Sequence, residues 1–264
     1  MNISSQLTEG LKKLLLPVIK GEFSNQAEKA RKGTWSYEEY LLDLVQKEIE
    51  ARENKRINRW LKESTLPIGK SLTTFDLKRL PKGVQHHFNV LRDGKFIARK
   101  ENILLFGTPG GGKTHLMCGL AQEMIKKGFK AYFRPCTALI QELLIAKNEL
   151  KLTRLLKKLT SYDLLVIDEI GYVQQKKEEM EVLFTLLAEC YETTSILLTS
   201  NLPFSKWENI FKDAMMAAAA IDRLVDHSVI LELNLPSYRL ERSKKRKEKL
   251  EKPKERKLGA EAPG

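Results

Sequence analysis

The sequence predicts an α/β protein built on a doubly wound, parallel, five-stranded sheet. Five short segments are apolar almost throughout, as strands are when helices cover both faces of a parallel sheet. They read NILLFG, KAYFR, DLLVIDE, SILLTSN and SVILEL, and begin at residues 102, 130, 163, 195 and 228. Segments with helical periodicity separate them, and this alternation favours parallel strands joined by crossover helices.

A helical pattern before the sheet predicts a separate N-terminal domain. Ser36 and Glu39 have the spacing of a capping box at the start of a long helix, and Pro67 and Gly69 later interrupt the helical pattern. We therefore expect a helical domain, an α/β domain and a basic, disordered tail, at residues 1–70, 71–238 and 239–264.

Composition and charge indicate a polyanionic partner and give no sign of a transmembrane helix. Lys and Arg number 46 against 34 Asp and Glu, so the formal net charge is +12, an excess that favours association with polyanions. Residues 238–257 alone contain 11 basic and 4 acidic side chains. No apolar run approaches the ~20 residues of a membrane-spanning helix, and three widely separated cysteines suit a reducing compartment. We expect a cytoplasmic protein with no membrane partner.

A glycine-rich loop after the first strand predicts a phosphate-binding site. The segment from Gly107 to Thr114 fits the pattern GxxxxGK[ST] at every fixed position and lies between a predicted strand and a predicted helix. Glycines let backbone N–H groups converge on phosphate oxygens, and the following helix directs the positive end of its dipole at them. We expect Lys113 to reach the β- and γ-phosphates of ATP and Thr114 to ligate Mg²⁺. The predicted nucleotide-binding residues are Gly107, Thr108, Pro109, Gly110, Gly111, Gly112, Lys113, Thr114 and His115.

Two adjacent carboxylates after the third strand predict metal binding and hydrolysis. The apolar segment LLVI delivers Asp168 to the carboxyl edge of the sheet, where ligands of such sheets bind. We expect Asp168 to hold Mg²⁺ and Glu169, directly after it, to polarise the attacking water. The pair favours ATP hydrolysis over storage of the nucleotide.

Two further side chains are candidates for catalysis, and each has a structural alternative. Asn201 ends the fourth strand, where its amide either orients the attacking water or turns the chain before Pro203. Arg223, near the end of an alanine-rich helix, either lies on an ordinary surface or reaches the γ-phosphate of a neighbouring subunit as an arginine finger. Asp222 either holds Arg223 in place or is solvated.

The order of these motifs resembles that of AAA+ ATPases. More narrowly, the IstB-like proteins, bacterial helpers of insertion-sequence transposition related to the DnaC helicase loaders, are resembled by the segments GTPGGGKTHL, DLLVIDEIGY, TSNLPFSKW, AIDRLVDHS and SYRL. The resemblance extends upstream through YLLDLVQKEIEARENKRINRWLKESTLP and TTFDL, so it covers nearly the whole chain to about Leu240. It implies an AAA+ ATPase domain at residues 71–238 and an oligomer that binds ATP and duplex DNA and recruits or stimulates its transposase. Asn201 would then be a sensor and Arg223 a finger acting in trans.

The resemblance implies further family features, and this chain departs from some of them. Residues 137–160 would include an extra helix for DNA contact and assembly. The chain has little or no room for the helical lid of most AAA+ proteins, so Arg239 and Arg242 are only candidates for a second arginine sensor. Gly111 stands where relatives often have a residue other than glycine, and the basic tail is longer than the family pattern suggests.

Three basic clusters predict contact with DNA phosphates. The first follows one helix in the N-terminal domain, the second lies in the helices between the second and third strands, and the third is the basic tail. The predicted contact residues are Arg52, Lys55, Arg56, Arg59, Lys147, Lys151 and Arg154, and Lys62, Lys157 and Lys158 belong to the same two helical clusters. A one-sided basic stripe is typical of phosphate contact, and such contact predicts weak sequence preference and steep salt dependence. The alternative for the first cluster is a solvated face paired with Glu48, Glu50 and Glu53.

Three functions fit these observations. The first is a transposition helper that assembles on duplex DNA with ATP and hydrolyses it. The second is a helicase loader, which would hold a replicative helicase and prefer single-stranded DNA. The third is a DNA-coating protein that uses ATP only as an assembly ligand, and the position of Glu169 argues against it.

Overall fold

The computed structural model describes residues 2–171, 176–211, 213–238, 240 and 243. The chain divides into two compact units between Glu63 and Ser64. Within the described residues, no helix is long and apolar enough to cross a membrane. The tail and the candidate sensors Arg239 and Arg242 lie outside the described residues, apart from Leu240 and Ser243.

The first unit contains three helices, α1 (Ile3–Lys13), α2 (Pro17–Gly33) and α3 (Tyr37–Glu63). The expected capping box forms at the start of α3, where the Glu39 N–H donates to Ser36 Oγ over 3.1 Å and the Ser36 N–H donates to Glu39 Oε2 over 2.7 Å. Leu11, Ile19 and Leu44, one from each helix, form a small buried core. The predicted helical domain is therefore a packed unit with its own core.

The second unit contains the predicted five-stranded parallel sheet. The strands are β1 (Asn102–Gly107), β2 (Ala131–Pro135), β3 (Leu164–Ile170), β4 (Ser195–Ser200) and β5 (Ser228–Leu233). Their order across the sheet is β2-β3-β4-β1-β5, and every pair is parallel. Because β4 lies between β1 and β3, the carboxyl ends of these three strands are adjacent. The glycine-rich loop, Asp168 and Thr199 therefore meet at one edge of the sheet.

Helices cover both faces of the sheet. They are α4 (Lys82–Leu91), α5 (Lys95–Ala98), α6 (Lys113–Lys126), α7 (Cys136–Asn148), α8 (Leu152–Leu159), α9 (Lys177–Cys190), α10 (Trp207–Phe211) and α11 (Ala214–Val225). Alternate strand residues point to opposite faces. Leu104, Leu165 and Leu198 join the core formed with α7, α9 and α11, and α6 packs on the opposite face against β1, β3 and β4. The doubly wound arrangement is as predicted.

The division between the units falls earlier than residue 70, where the sequence pattern placed it. The Phe133 N–H in β2 donates to the Ser64 carbonyl over 2.8 Å, and the Thr65 hydroxyl donates to the Phe133 carbonyl. Gln122 in α6 donates to the carbonyls of Pro67 and Lys70. These hydrogen bonds attach residues 64–70 to the edge of the α/β unit, although Pro67 and Gly69 do end the helical pattern.

Candidate nucleotide-binding site

The glycine-rich loop leaves β1 and enters α6 at Lys113, with little space for side chains. Gly107 has φ of 145°, and a Cβ there would lie 2.1 Å from the Leu233 carbonyl oxygen. Gly112 has φ of 96°, and a Cβ there would lie 2.8 Å from the Phe75 ring. Both backbone conformations favour glycine. The loop precedes a 14-residue helix, whose N-terminal N–H groups and dipole favour an anion.

Lys113 lies against the loop that it follows. Its Nζ donates to the carbonyls of Gly107 over 2.8 Å and Thr108 over 3.1 Å, and the residue is only 7% exposed. Burial lowers the pKa of Lys113 below its ordinary value, although the carboxylates of Glu169 and Asp168 act in the opposite direction. A buried ammonium group at the glycine-rich loop suits binding of a phosphate group.

Asp168 and Thr114 meet at the end of β3. The Thr114 hydroxyl donates to Asp168 Oδ1 over 3.0 Å, and the buried Thr199 hydroxyl donates to the same oxygen over 2.7 Å. Oxygen donors of this kind suit Mg²⁺, which usually binds to one or two protein ligands, phosphate oxygens and water. Within the described residues, no cluster of three or more His, Cys, Asp or Glu side chains could hold a metal. The oxygen atoms of Thr114 and Asp168 fit Mg²⁺ that is bound together with the phosphate oxygens of a nucleotide.

Glu169 has an unusual backbone conformation for a residue in a strand. Its φ is 63°, in the left-handed region, and the pairing of β3 with β4 shifts register between Ile167 and Ile170. Its N–H donates to the Thr199 hydroxyl over 2.8 Å. Glu169 lines the same cavity as Lys113 and Thr114, so the structure brings three predicted site residues together there.

This cavity, called the nucleotide cavity below, has a volume of about 180 Å³, and its lining includes residues outside the glycine-rich loop and the acidic pair. Beyond the loop, its lining residues are Lys70, Thr74, Phe75, Arg79, Leu235 and Tyr238. His115, predicted to bind the nucleotide, lines the cavity too, and its Nε2 lies 3.0 Å from Thr74 Oγ1 and 2.9 Å from the Ser71 carbonyl oxygen. Its ring also meets Phe75 edge to face, with centroids 5.2 Å apart. Thr74 and Phe75 lie in the segment TTFDL and Tyr238 in SYRL, and the sequence pointed to both segments only through the family resemblance.

The segment after β5 crosses the glycine-rich loop. The Thr108 hydroxyl donates to the Leu235 carbonyl over 3.0 Å, and the Tyr238 N–H donates to the Gly110 carbonyl over 3.1 Å. The Arg79 guanidinium lies 5.1 Å from the centroid of the Tyr238 ring. Residues that are distant in sequence therefore close the cavity around the loop.

Asn201 lies on a different side of the loop from Lys113. It is exposed after β4 and lines a second cavity with residues that include Gly107, Thr108 and Pro109. The turn after β4 is held by Ser200, whose Oγ donates to the Leu202 carbonyl over 2.9 Å and accepts from the Leu202 N–H over 3.0 Å. Among the residues that the structure describes, Asn201 is not part of the nucleotide cavity's lining.

Arg223 is half-buried on α11. Its guanidinium lies 5.0 Å from the centroid of the Phe184 ring, and its Nη1 donates to the Ala219 carbonyl over 3.0 Å. The buried Asn102 side chain connects this helix to the sheet, because it donates to the Leu224 carbonyl and accepts from the Ile196 N–H. Arg223 is therefore positioned at the end of a well-anchored helix.

The predicted DNA-contact residues differ in their availability. Arg52 donates to the buried Glu48 carboxylate over 3.0 Å and to the Leu15 carbonyl, so it is part of the fold of the first unit. Four of the others form weaker or exposed contacts: Arg56 with Trp60 and Glu53, Arg59 with Glu63, Lys147 with Glu181, and Lys151 with Glu149. Arg154 is exposed and forms no ion pair with any described residue.

The first unit also has a basic groove that the sequence did not reveal. Its lining includes Lys12 of α1, Lys20 of α2, and Lys55 and Arg52 of α3. Its one carboxylate, Glu48, is 4% exposed and bonded to Arg52. No carboxylate of the described chain lies within ion-pair distance of the three lysines. The fold thus gathers three free ammonium groups from three helices.

Together, the strand order, the glycine-rich loop and the polar ends of β3 and β4 define an AAA+ P-loop nucleotide-binding protein. Solved structures with a similar fold include the DnaC helicase loader, at TM-score 0.53 and 19% identity over 63% of this chain and 98% of that one. Another is AMPPCP-bound DnaA from Aquifex aeolicus, at TM-score 0.54 and 20% identity over 72% of this chain and 59% of that one.

Sequence relatives define the family more narrowly. Residues 9–246 match the IstB-like ATP binding proteins, and the chain belongs to this family. Similar proteins include an ATP-binding protein named for insertion sequence IS5376 of Geobacillus stearothermophilus, 37% identical over 94% of this chain and 98% of that protein. An insertion-sequence ATP-binding protein of Sinorhizobium fredii is 39% identical over 87% of this chain and 77% of that protein. One named for IS21 of Pseudomonas aeruginosa is 38% identical over 83% of this chain and 82% of that protein.

Proposed function

We propose that this chain is an ATP-hydrolysing helper of insertion-sequence transposition, which assembles on duplex DNA and recruits or stimulates its transposase. The observation that carries the proposal is the convergence of Lys113, Thr114 and Glu169 on one cavity, with Asp168 bonded to Thr114 at its edge. The chain's membership of a family named for insertion-sequence ATP-binding proteins supplies the biological setting.

The residues around the cavity have distinct tasks in hydrolysis. The N–H groups at the start of α6 and the Lys113 ammonium group bind the phosphates and offset their charge. Glu169 accepts a proton from the attacking water and so makes it a better nucleophile. Thr114 and Asp168 hold Mg²⁺, which neutralises charge on the transferred phosphoryl group when it is bound.

The wall of the cavity gives the nucleotide a place for its base. Phe75 and Tyr238 offer aromatic surfaces, and Thr74 offers a hydroxyl group. His115 fixes the Thr74 segment beside the loop through its contacts with Ser71 and Thr74. We assign His115 to the shape of this wall, where it supports nucleotide binding through Thr74 and Phe75.

In this proposal Arg223 acts on a second copy of the chain, and Asn201 is a sensor of the phosphates. Arg223, held at the end of α11, supplies positive charge to the γ-phosphate of a neighbouring copy. Asn201 lies on the far side of the loop from Lys113, where it senses the phosphates when the loop adjusts around them. ATP binding and assembly are coupled because each completed site needs groups from two copies.

DNA contact is expected through phosphates. In the first unit the free ammonium groups of Lys12, Lys20 and Lys55 are better placed for it than Arg52, which its own fold uses. In the second unit Arg154 on α8 is exposed, with Lys147 and Lys151 nearby in exposed ion pairs that contribute little. Such contacts bind DNA with little sequence preference.

The test is assembly on duplex DNA followed by electron microscopy, with ATP compared against ADP and phosphate release measured in parallel. The proposal predicts ordered oligomers with ATP only, and phosphate release that DNA stimulates. Monomers whose DNA binding ignores the nucleotide would contradict it. Capture assays with the transposase and with a replicative helicase separate a transposition helper from a helicase loader, since each function predicts a different partner.

A further inference from the structure

Thr199 connects the predicted metal ligand Asp168 and the predicted catalytic residue Glu169 through one hydroxyl group. The residue lies in β4 and is 0% exposed. Its Oγ1 donates to Asp168 Oδ1 over 2.7 Å and accepts from the Glu169 N–H over 2.8 Å. Both are good hydrogen-bond lengths. A hydroxyl is needed for this pair of bonds, because it donates and accepts through one atom.

The second bond supports a backbone that does not follow the strand. At Glu169 the φ of 63° interrupts regular pairing, and the register between β3 and β4 shifts there. Left-handed conformations cost energy for residues with a Cβ and persist when their surroundings hold them. The Glu169 N–H finds its partner in the Thr199 hydroxyl in place of a ladder carbonyl, so this bond compensates for the interruption.

The first bond acts on the predicted metal site. Asp168 Oδ1 accepts from both Thr114 and Thr199, so the carboxylate is held from β4 and from α6. Hydrogen bonds from neighbouring side chains to a metal-binding carboxylate fix the orientation of that carboxylate. Thr199 does not line the cavity, so it acts through the two acidic residues and does not itself touch the nucleotide.

We propose that Thr199 is a positioning residue that sets Asp168 for Mg²⁺ and Glu169 for water activation at the same time. The inference rests on the proposed ATPase function. The proposed role of Thr199 differs from that of Asn201, two residues later, which the sequence analysis predicted to act in catalysis. Thr199 lies behind the acidic pair, whereas Asn201 lines the second cavity.

The decisive variant is Thr199→Val, which keeps the branched shape and removes both hydrogen bonds. Phosphate release is expected to fall about 10- to 100-fold, as loss of a positioned buried partner predicts, while KM for ATP at saturating Mg²⁺ changes little. Thr199→Ser restores the hydroxyl and is expected to recover most of the rate. Thr194→Val is the matched control, since Thr194 is 1% exposed just before β4 and its hydroxyl donates to the Thr160 carbonyl, away from the acidic pair.

A second readout does not depend on hydrolysis. Binding of a fluorescent, non-hydrolysable ATP analogue is measured while Mg²⁺ is titrated, and Thr199→Val is expected to need more Mg²⁺ for half-maximal binding. Wild-type protein that never releases phosphate would contradict the ATPase proposal, while the Mg²⁺ titration would still test Thr199. Wild-type kcat and Mg²⁺ dependence in Thr199→Val would overturn the inference. Should that variant not fold, Thr199→Cys keeps the size with a weak donor and is tested in the same way.

Discussion

The two units of the chain use their charged side chains in different ways. In the α/β unit, charged groups from separate elements converge on one cavity, and hydroxyl groups of Thr114 and Thr199 hold the buried Asp168. In the helical unit, Arg52 is used internally, because it neutralises the buried Glu48 that caps α2. A charged residue near a strand end is thus a better indicator of a site than one on a long helix.

The strongest test of this difference between the units concerns Arg223, which is expected to contact the γ-phosphate bound by a neighbouring copy. Arg223→Ala should reduce phosphate release by at least ~100-fold, as loss of an arginine finger does, with ATP binding retained. Mixing it with Lys113→Ala should restore part of the rate, because one intact site then forms between an Arg223 and a Lys113 from different copies. The measurement is phosphate release against mixing ratio at constant total protein.

If mixing restored no activity and the Arg223→Ala melting temperature fell, Arg223 would instead be a structural residue. Its contacts with Phe184 and Ala219 would then be its whole role. In that case the α/β unit would use this arginine as the helical unit uses Arg52, and the contrast between the units would weaken.

The second prediction concerns Glu48 in the helical unit. Burial raises the pKa of Glu48, but hydrogen bonds from the Ile19 N–H, Arg52 and the Val18 N–H outweigh it and lower the pKa below the ordinary 4.5. The stabilisation is therefore present above about pH 4.5 and is lost as the pH falls through the lowered value. Glu48→Gln should speed amide exchange at Val18 and Ile19 about tenfold at pH 7.

Hydrogen exchange of the full-length protein, followed by mass spectrometry of peptides from α2, measures this effect. Glu50→Gln is the control, since Glu50 is exposed on the same helix and should leave α2 unchanged. Equal exchange in wild type and Glu48→Gln would show that the buried carboxylate does not hold the start of α2. Arg52 would then again be a candidate for DNA contact.

The smallest expected effect is on DNA binding by the basic groove. Replacing Lys12, Lys20 and Lys55 with glutamine should flatten the dependence of log K on log salt by about 2 to 3, because each phosphate contact contributes about 0.9. The matched control replaces Lys13, Lys29 and Lys32, which are exposed in the same unit and change the charge equally. Equal slopes for both triple variants would place the DNA contact elsewhere.

The sequence predicted what adjacent residues determine. The strands, the glycine-rich loop and the order of Lys113, Asp168 and Glu169 follow from local patterns, and the structure has the predicted doubly wound sheet. The roles of the individual site residues remain predictions. A capping box likewise announced the start of α3.

Features that depend on tertiary contacts were missed. Thr199 looks like any β-branched strand residue until β3 and β4 pair, and Phe75 and Tyr238 reach the cavity from opposite ends of the α/β unit. Arg52 and Lys55 looked equivalent on α3, yet only Arg52 meets Glu48 and Leu15. Helical periodicity shows which residues share a face but not which of them the fold will use.

The central claim is that the cavity between the glycine-rich loop and Glu169 hydrolyses ATP. The most direct test compares phosphate release and ATP binding in wild type and Glu169→Gln, with DNA present. We predict a loss of turnover of at least ~100-fold, as expected for removal of a general base, with unchanged ATP binding and ATP-dependent assembly. Normal phosphate release by Glu169→Gln would contradict the account.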